Sequence, residues 1–397
     1  MSKDDAALPD SKISALVAFV KEIYGSPPIP LHRPVFRGNE RSYLVQTIDS
    51  NFVSSVGMHV TAFEERIAQF TGAQRAVATV NGTAAIHAAL LVAGVGAGHE
   101  VITQALTFVA TCNAITYAGA KPVFVDVDVD TMGLSPDRLR SWLEKNTKQI
   151  GGKADNRNTG AHISACVPMH TFGLPCRVSD IAAICQEFNI TLIEDAAESL
   201  GSYIGVRHTG TFGRLATLSF NGNKVITTGG GGMILTDSDE LANRAKHLTT
   251  TAKVPHAWEF VHDEVGYNYR MPNLNAALGC AQMEKLPAIL RIKSQTAALY
   301  RAFCAEHGFD FIVPIEGATP NFWLNAIRLK DRASRDSFLK FTNSEGVMTR
   351  PIWTLMSELN AFADCETDGL EVSRWLADCV VNLPSSVPDN QFEQLDL

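Results

Sequence analysis

The sequence has no CxxC pair, no run approaching the about 18 apolar residues of a membrane span, no excess of basic residues, no internal repeat and no low-complexity tract. Each absence removes a class. Eight cysteines (Cys112, Cys166, Cys176, Cys185, Cys280, Cys304, Cys365 and Cys379) are scattered, mostly in apolar surroundings. They read as reduced, mostly buried thiols of a cytoplasmic protein, not as a disulfide or zinc framework. Met1 to Pro9 lack the apolar core of a signal peptide. A formal net charge of −8 argues against a general nucleic-acid binder but leaves room for a local basic pocket that takes a phosphorylated small molecule.

What remains is a chain of 397 residues, 46% hydrophobic and 19% charged. That is enough for a large core and two domains of roughly 150 residues or more. Ile13, Leu16, Val17, Val20 and Tyr24 share one face of a helix over 11–24, and a proline-rich arm and a polar connection through Arg37-Gly38-Asn39-Glu40 follow. From 61 to about 236, short apolar runs alternate with helical patterns, giving about seven strands. Asn146 to Gly160 reads as a polar surface loop. The alternation predicts a mostly parallel sheet covered on both faces, with ligands at the carboxyl ends of its strands. Asn273 to about His307 reads as one long helix or a broken pair, and a smaller α+β region follows. The expected division is residues 1–60 as helix and arm, 61–271 as the large domain, and 272–397 as long helix and small domain.

Five constellations lie just after apolar runs or in the second domain. Asn81-Gly82-Thr83 stands between a strand and a helix, where backbone N–H groups make an anion site or Thr83 is an ordinary cap. Glu194-Asp195-Ala196-Ala197-Glu198 ends a strand in carboxylates that could cap a helix or hold a protonated ring nitrogen. His170 follows another strand, in a structural or a functional role. Phe108, in Thr107-Phe108-Val109-Ala110-Thr111, could stack on a flat ring or pack in the core. Arg350-Pro351-Ile352-Trp353 offers an arginine beside an aromatic, suited to a phosphorylated ligand or to a plain surface. Between two further strands, Ser219-Phe220-Asn221-Gly222-Asn223-Lys224 puts a lysine on a tight turn before four glycines, Gly229 to Gly232. Alone that lysine is a solvated turn residue. With a phosphate site, a ring-nitrogen partner and a stacking aromatic, it completes the inventory that holds pyridoxal 5'-phosphate.

These motifs, in this order, resemble the sugar aminotransferases of the DegT/DnrJ/EryC1/StrS group, over nearly the whole chain from about Pro30 to Leu383-Pro384. The resemblance implies the PLP-dependent transferase fold of type I: an α/β large domain with a mostly parallel seven-stranded sheet plus a smaller α+β C-terminal domain. It implies that Lys224 bonds covalently to the cofactor and then shuttles protons, and that Asp195 pairs with the pyridine nitrogen. Gly82, Thr83 and Ser219 would hold the phosphate, and Phe108 would stack on the ring. Glu198 would lie near the ring hydroxyl and His170 near the cofactor. Asn268, in Gly266-Tyr267-Asn268-Tyr269-Arg270, would reach the phosphate in a neighbouring subunit, making a homodimer with shared active sites. Arg350 and Trp353 would meet substrate.

Leu31-His32-Arg33-Pro34, Val53-Ser54-Ser55-Val56-Gly57 and Arg350-Pro351-Ile352-Trp353-Thr354-Leu355 look like the LegC-like branch, associated with 4-amination of UDP-linked 4-keto-6-deoxy-N-acetylhexosamines. The expected reaction moves an amino group from L-glutamate, which leaves as 2-oxoglutarate, through pyridoxamine 5'-phosphate to the C4 ketone of such a sugar, for a surface polysaccharide or glycan. One departure is Gly230, where many relatives carry Glu. Sugar dehydratases of the same family have His at the lysine position, so Lys224 argues against deoxygenation. A non-catalytic regulator is disfavoured by the intact set of Lys224, Asp195 and Ser219. Neither nucleic acid nor membrane is expected as a partner.

Overall fold

The computed structural model describes residues 10–396, so the signal-peptide reading of Met1 to Pro9 lies outside it. Helix α1 (Asp10–Tyr24) opens the chain, followed by α2 (Glu40–Asp49) and α3 (Met58–Thr71). Then come β1 (Arg75–Thr79), α4 (Gly82–Val92), β2 (His99–Gln104), α5 (Val109–Tyr117), β3 (Lys121–Val125) and α6 (Pro136–Asn146). A hairpin β4 (Thr147–Ile150) and β5 (Lys153–Asn156) leads to β6 (His162–Val167), α7 (Val178–Glu187) and β7 (Thr191–Asp195). The short β8 (Tyr203–Ile204) and β9 (Arg207–His208) precede β10 (Leu215–Ser219), β11 (Gly232–Thr236) and α8 (Asp239–Thr249).

Seven of these strands form a path in the order β1-β11-β10-β7-β6-β2-β3, and the β4–β5 hairpin extends the sheet from β6 to nine strands. Pairing is parallel from β10 through β7, β6 and β2 to β3, and antiparallel where β11 meets β10 and β1. The sheet is therefore mixed, and its parallel block matches the βα alternation of the sequence. The 146–160 stretch, read as a surface loop, is this hairpin turning at Gly151-Gly152, both with positive φ. Its polar, mostly exposed residues hide the pairing from any apolar pattern. The polar connection after Gly38 contains α2, whose buried residues are only Glu40 and Thr47, so no apolar stripe announces it.

One helix, α9 (Asn273–His307), runs the full predicted span with Pro287 inside it. The C-terminal part adds β12 (Asp310–Phe311), β13 (Ala318–Thr319), β14 (Asn325–Arg328), α10 (Arg332–Ser344), β15 (Arg350–Pro351), α11 (Glu371–Cys379) and β16 (Val380–Leu383). Four strands pair in the order β12-β14-β16-β15. Ile13, Leu16, Val17 and Val20 of α1 share a core with Tyr300, Phe338, Val347 and Val381, so the first helix packs into this C-terminal unit. Seven cysteines are buried and Cys365 is partly buried; all eight are free thiols. No helix among the described residues is long and apolar enough to cross a membrane.

Candidate active site

A cavity of about 320 Å³ opens at the carboxyl ends of β7 and β10, lined from the large domain by residues of the α4, α5 and β7 termini and from the C-terminal part by Trp323 and Trp353. This is where a parallel sheet presents its ligand crevice. Lys224 stands in it, on a turn closed by its own N–H donating to the Asn221 carbonyl at 3.0 Å. Its Nζ donates to Glu198 Oε1 at 3.1 Å and lies 4.1 Å from the centroid of the Trp323 ring.

Asp195 is the last residue of β7 and lies on the cavity wall. Its Oδ2 accepts from Thr111 Oγ1 at 2.6 Å and its Oδ1 from the Ala197 N–H at 3.2 Å. Burial pushes this carboxyl up from its ordinary range, while the Thr111 and Ala197 bonds and the charge of Lys224 pull it back. Both of its hydrogen-bond donors are neutral, so a buried acid is poised to take a cation such as a protonated ring nitrogen. Glu198 is pushed up to about 6, again by burial, with Lys224 and the Phe172 N–H opposing. That N–H donates to Glu198 Oε2 at 2.9 Å from a residue at φ 58°, a conformation costly for phenylalanine and held here by its surroundings.

The opposite wall is the start of α4. Asn81 caps it, Oδ1 accepting from the Ala84 N–H at 2.8 Å, and the first amides of the helix point toward its N-terminal end with no intrahelical partner. Gly82 and Thr83 therefore sit where an anion is favoured. A Cβ on Gly82 would lie 2.9 Å from Ser219 Cβ, so only glycine lets the helix start close against Ser219 at the end of β10. Gly232 serves the same seam: a Cβ there would meet the Asn81 carbonyl oxygen at 2.4 Å. The four glycines do unlike things, because Gly229 takes φ +80° whereas Gly230 has its nearest neighbour at 3.8 Å and room for a side chain. The cradle of Gly82, Thr83 and Ser219 together with Asp195 fits the phosphate and the ring nitrogen of pyridoxal phosphate.

Phe108 precedes α5, is about half exposed, and lies with its ring 6.5 Å from that of Trp353. Both line the cavity. Three expected residues do not line it. His170 is fully buried: Nε2 meets Glu194 Oε2 at 3.0 Å and Nδ1 lies 3.2 Å from the Cys176 N–H, an arrangement that puts a ring proton on Nε2 facing the carboxylate. Arg350 lies exposed on β15, bonded to Asn343 Oδ1 and the Thr349 carbonyl, and turns from the cavity because its strand pairs with β16 at the sheet's edge. Asn268 is exposed and bridges to Thr250. Sequence reading gave no role to Thr111 or Trp323. Thr111 was visible inside a quoted motif, whereas Trp323 comes from a turn about 100 residues after the lysine and carries no local signal.

The sequence profile of the DegT/DnrJ/EryC1/StrS aminotransferase family matches residues 35–394. A GDP-perosamine synthase of Caulobacter vibrioides is 34% identical over 363 residues, covering 90% of this chain and 93% of the relative. The GDP-perosamine synthase of Vibrio cholerae is 32% identical over 372 residues, covering 92% and 97%. Among solved structures, DesI, crystallised in the presence of its TDP-sugar product, superposes with a TM-score of 0.78 at 26% identity, covering 96% of this chain and 94% of that one. The aminotransferase TlmJ from Streptoalloteichus hindustanus gives 0.82 at 25% identity, covering 92% and 96%.

Proposed function

The chain belongs to the DegT/DnrJ/EryC1/StrS aminotransferase family, and on that premise we propose that it aminates the C4 ketone of a 4-keto-6-deoxy sugar carried on a nucleoside diphosphate, with L-glutamate as donor. At the coarser level it is a PLP-dependent sugar aminotransferase. The observation that carries the reading is one cavity holding Lys224 against Glu198, with Asp195 on its wall and the Gly82–Ser219 seam opposite.

When bound, pyridoxal phosphate supplies an electron sink that acidifies the carbon bearing the amino group. Asp195 keeps the ring nitrogen protonated, which its burial and neutral donors favour. The α4 start and Ser219 bind the phosphate. Phe108, on the cavity wall, would cover one face of the ring and exclude water there. Nζ of Lys224 would be the general acid–base, positioned to hold and move the proton taken from the glutamate α-carbon and, in the second half, the one delivered to sugar C4 on amination. Glutamate leaves as 2-oxoglutarate, and the sugar ketone becomes an amine.

Two observations extend the reading. Lys224 is the single cation lining the cavity among the described residues, beside two carboxylates. Phosphates and a dicarboxylic donor need more donors than that, which supports a homodimer whose second subunit brings Asn268 to the site. The base of the nucleotide has two candidates: the motif resemblance favours UDP with an N-acetylhexosamine, and the two GDP-perosamine synthases favour GDP. The locale is the cytoplasm, where such sugars are activated.

The test is incubation of protein, PLP and glutamate with UDP-, dTDP- and GDP-linked 4-keto-6-deoxy sugars, with products read by mass and NMR. One base should give the 4-amino sugar far faster than the others, and no amination of any of the three would reject the proposal. Lys224→Ala should fold and lose turnover; full turnover in that variant would reject its role.

A further inference from the structure

Trp323 is gripped at three points. Its N–H donates to Asn321 Oδ1 at 2.8 Å, its carbonyl accepts from Lys293 Nζ at 3.2 Å, and its Nε1–H donates to the Asn223 carbonyl at 2.6 Å. Lys293 is itself fully buried on α9 and also donates to the Ser385 carbonyl at 2.5 Å. Burial pulls its amine down to about 7. The residue before the tryptophan, Phe322, sits at φ 49°, a conformation disfavoured for an aromatic residue, so the turn accepts strain to present the indole. Phe172 packs against the ring at 6.4 Å.

The presented face looks at Lys224. Nζ is 4.1 Å from the ring centroid and 3.1 Å from Glu198 Oε1, and the lysine side chain is 12% exposed. The Nε1–H bond to Asn223 fixes the backbone one residue before that lysine, so ring and amine are held in register by a single contact. An indole face attracts a cation, more strongly where water is scarce.

We propose that Trp323 is a positioning residue that seats the free Lys224 ammonium against its indole face and Glu198, so that the amine waits in one place whenever it is not bonded to the cofactor. This rests on the reading of Lys224 as the cofactor-bonding lysine. A long amine released into an open cavity would otherwise sample many rotamers. The seat removes that freedom without consuming a second carboxylate.

The test uses the full-length apoprotein and needs no turnover. Lys224 acylation by acetic anhydride is followed by mass spectrometry, with the surface lysines as internal reference. Trp323→Leu should raise the Lys224 rate about fivefold, the effect of losing a cation–π contact of moderate strength, while Trp323→Phe, which keeps a weaker ring face and loses the Nε1–H bond, should give a smaller rise. Affinity for pyridoxamine phosphate, which forms no bond with the lysine, should be unchanged in both. If the leucine variant misfolds, fluorinated tryptophans placed at position 323 keep the shape and weaken the ring face. Lys224 reactivity should then climb with each fluorine. A flat series, or a loss of pyridoxamine phosphate affinity in step with the reactivity change, would overturn the seat and leave only a packing role. Covalent capture of PLP by Lys224→Ala would instead overturn the reading of the lysine, and the acylation series does not depend on it.

Discussion

Glu194 and Asp195 are adjacent, both buried, both at the end of β7, and their surroundings differ in kind. Alternation along the strand sends the two carboxylates to opposite faces. Glu194 accepts from the Gly210, Phe212 and Gly213 N–H groups at 2.6 to 2.7 Å and from His170 Nε2 at 3.0 Å. Four donors satisfy it, and it ties a loop and a histidine to the sheet. Asp195 has two neutral donors, a wall of the cavity and a carboxyl pushed up by burial. The saturated acid holds structure together, and the under-satisfied one has capacity left for a ligand.

The largest effect expected from this contrast is at Asp195. Asp195→Asn should cut transamination at least about a hundredfold, as loss of a preorganised charge does, with a melting temperature near wild type. Equal loss in Glu194→Gln would break the distinction. Glu194→Ala should do the reverse. It strands three backbone N–H groups and an imidazole, each unmade bond costing about 1–3 kcal/mol. The melting temperature should fall by several degrees or the protein should fail to fold, while PLP bound per folded molecule stays constant.

Glu198 sharpens the contrast with a third carboxylate. Burial raises it to about 6, so acid removes its charge, and with it the ion pair to Lys224, as pH falls through that value. The pH–rate profile should show an acid limb near 6 that disappears in Glu198→Gln. The linkage has the opposite sign for stability. The native state takes this proton before the unfolded chain does, so the group's contribution is fully present below about 4.5 and is lost as pH rises through about 6. The smallest effect belongs to Thr111→Val, which deletes one neutral donor to Asp195 and should weaken PLP binding only severalfold, read by equilibrium dialysis.

The sequence made one half of the contrast readable. Asp195 could be singled out because it ends an apolar run among other motifs, but the same run offers Glu194, and no local rule says which acid faces the crevice. The answer depends on where a loop 16 to 19 residues downstream places its amides. The family resemblance put His170 near the cofactor, whereas its strand-end position alone left a structural role open; its ring belongs to the Glu194 side. The parallel block was legible because buried strands announce themselves as apolar runs. The polar β4–β5 hairpin and α2, whose contacts are made through polar residues, left no such trace. Trp323 and the edge position of Arg350 are set by how the C-terminal part folds back, which is a property of long-range packing.

Helix α9 belongs to both cores. Near its start, Asn275 Nδ2 donates to the Thr228 and Gly230 carbonyls and Ala276 and Cys280 lie in the core that holds Phe63 and Phe220. Near its end, Tyr300 and Cys304 lie in the core that holds α1, and Tyr300 Oη donates to the Pro384 carbonyl. A rod of 35 residues, about 50 Å long at the α-helical rise, is thus shared structural property. Melting either core would strip part of that rod of its packing, which couples the stability of the two.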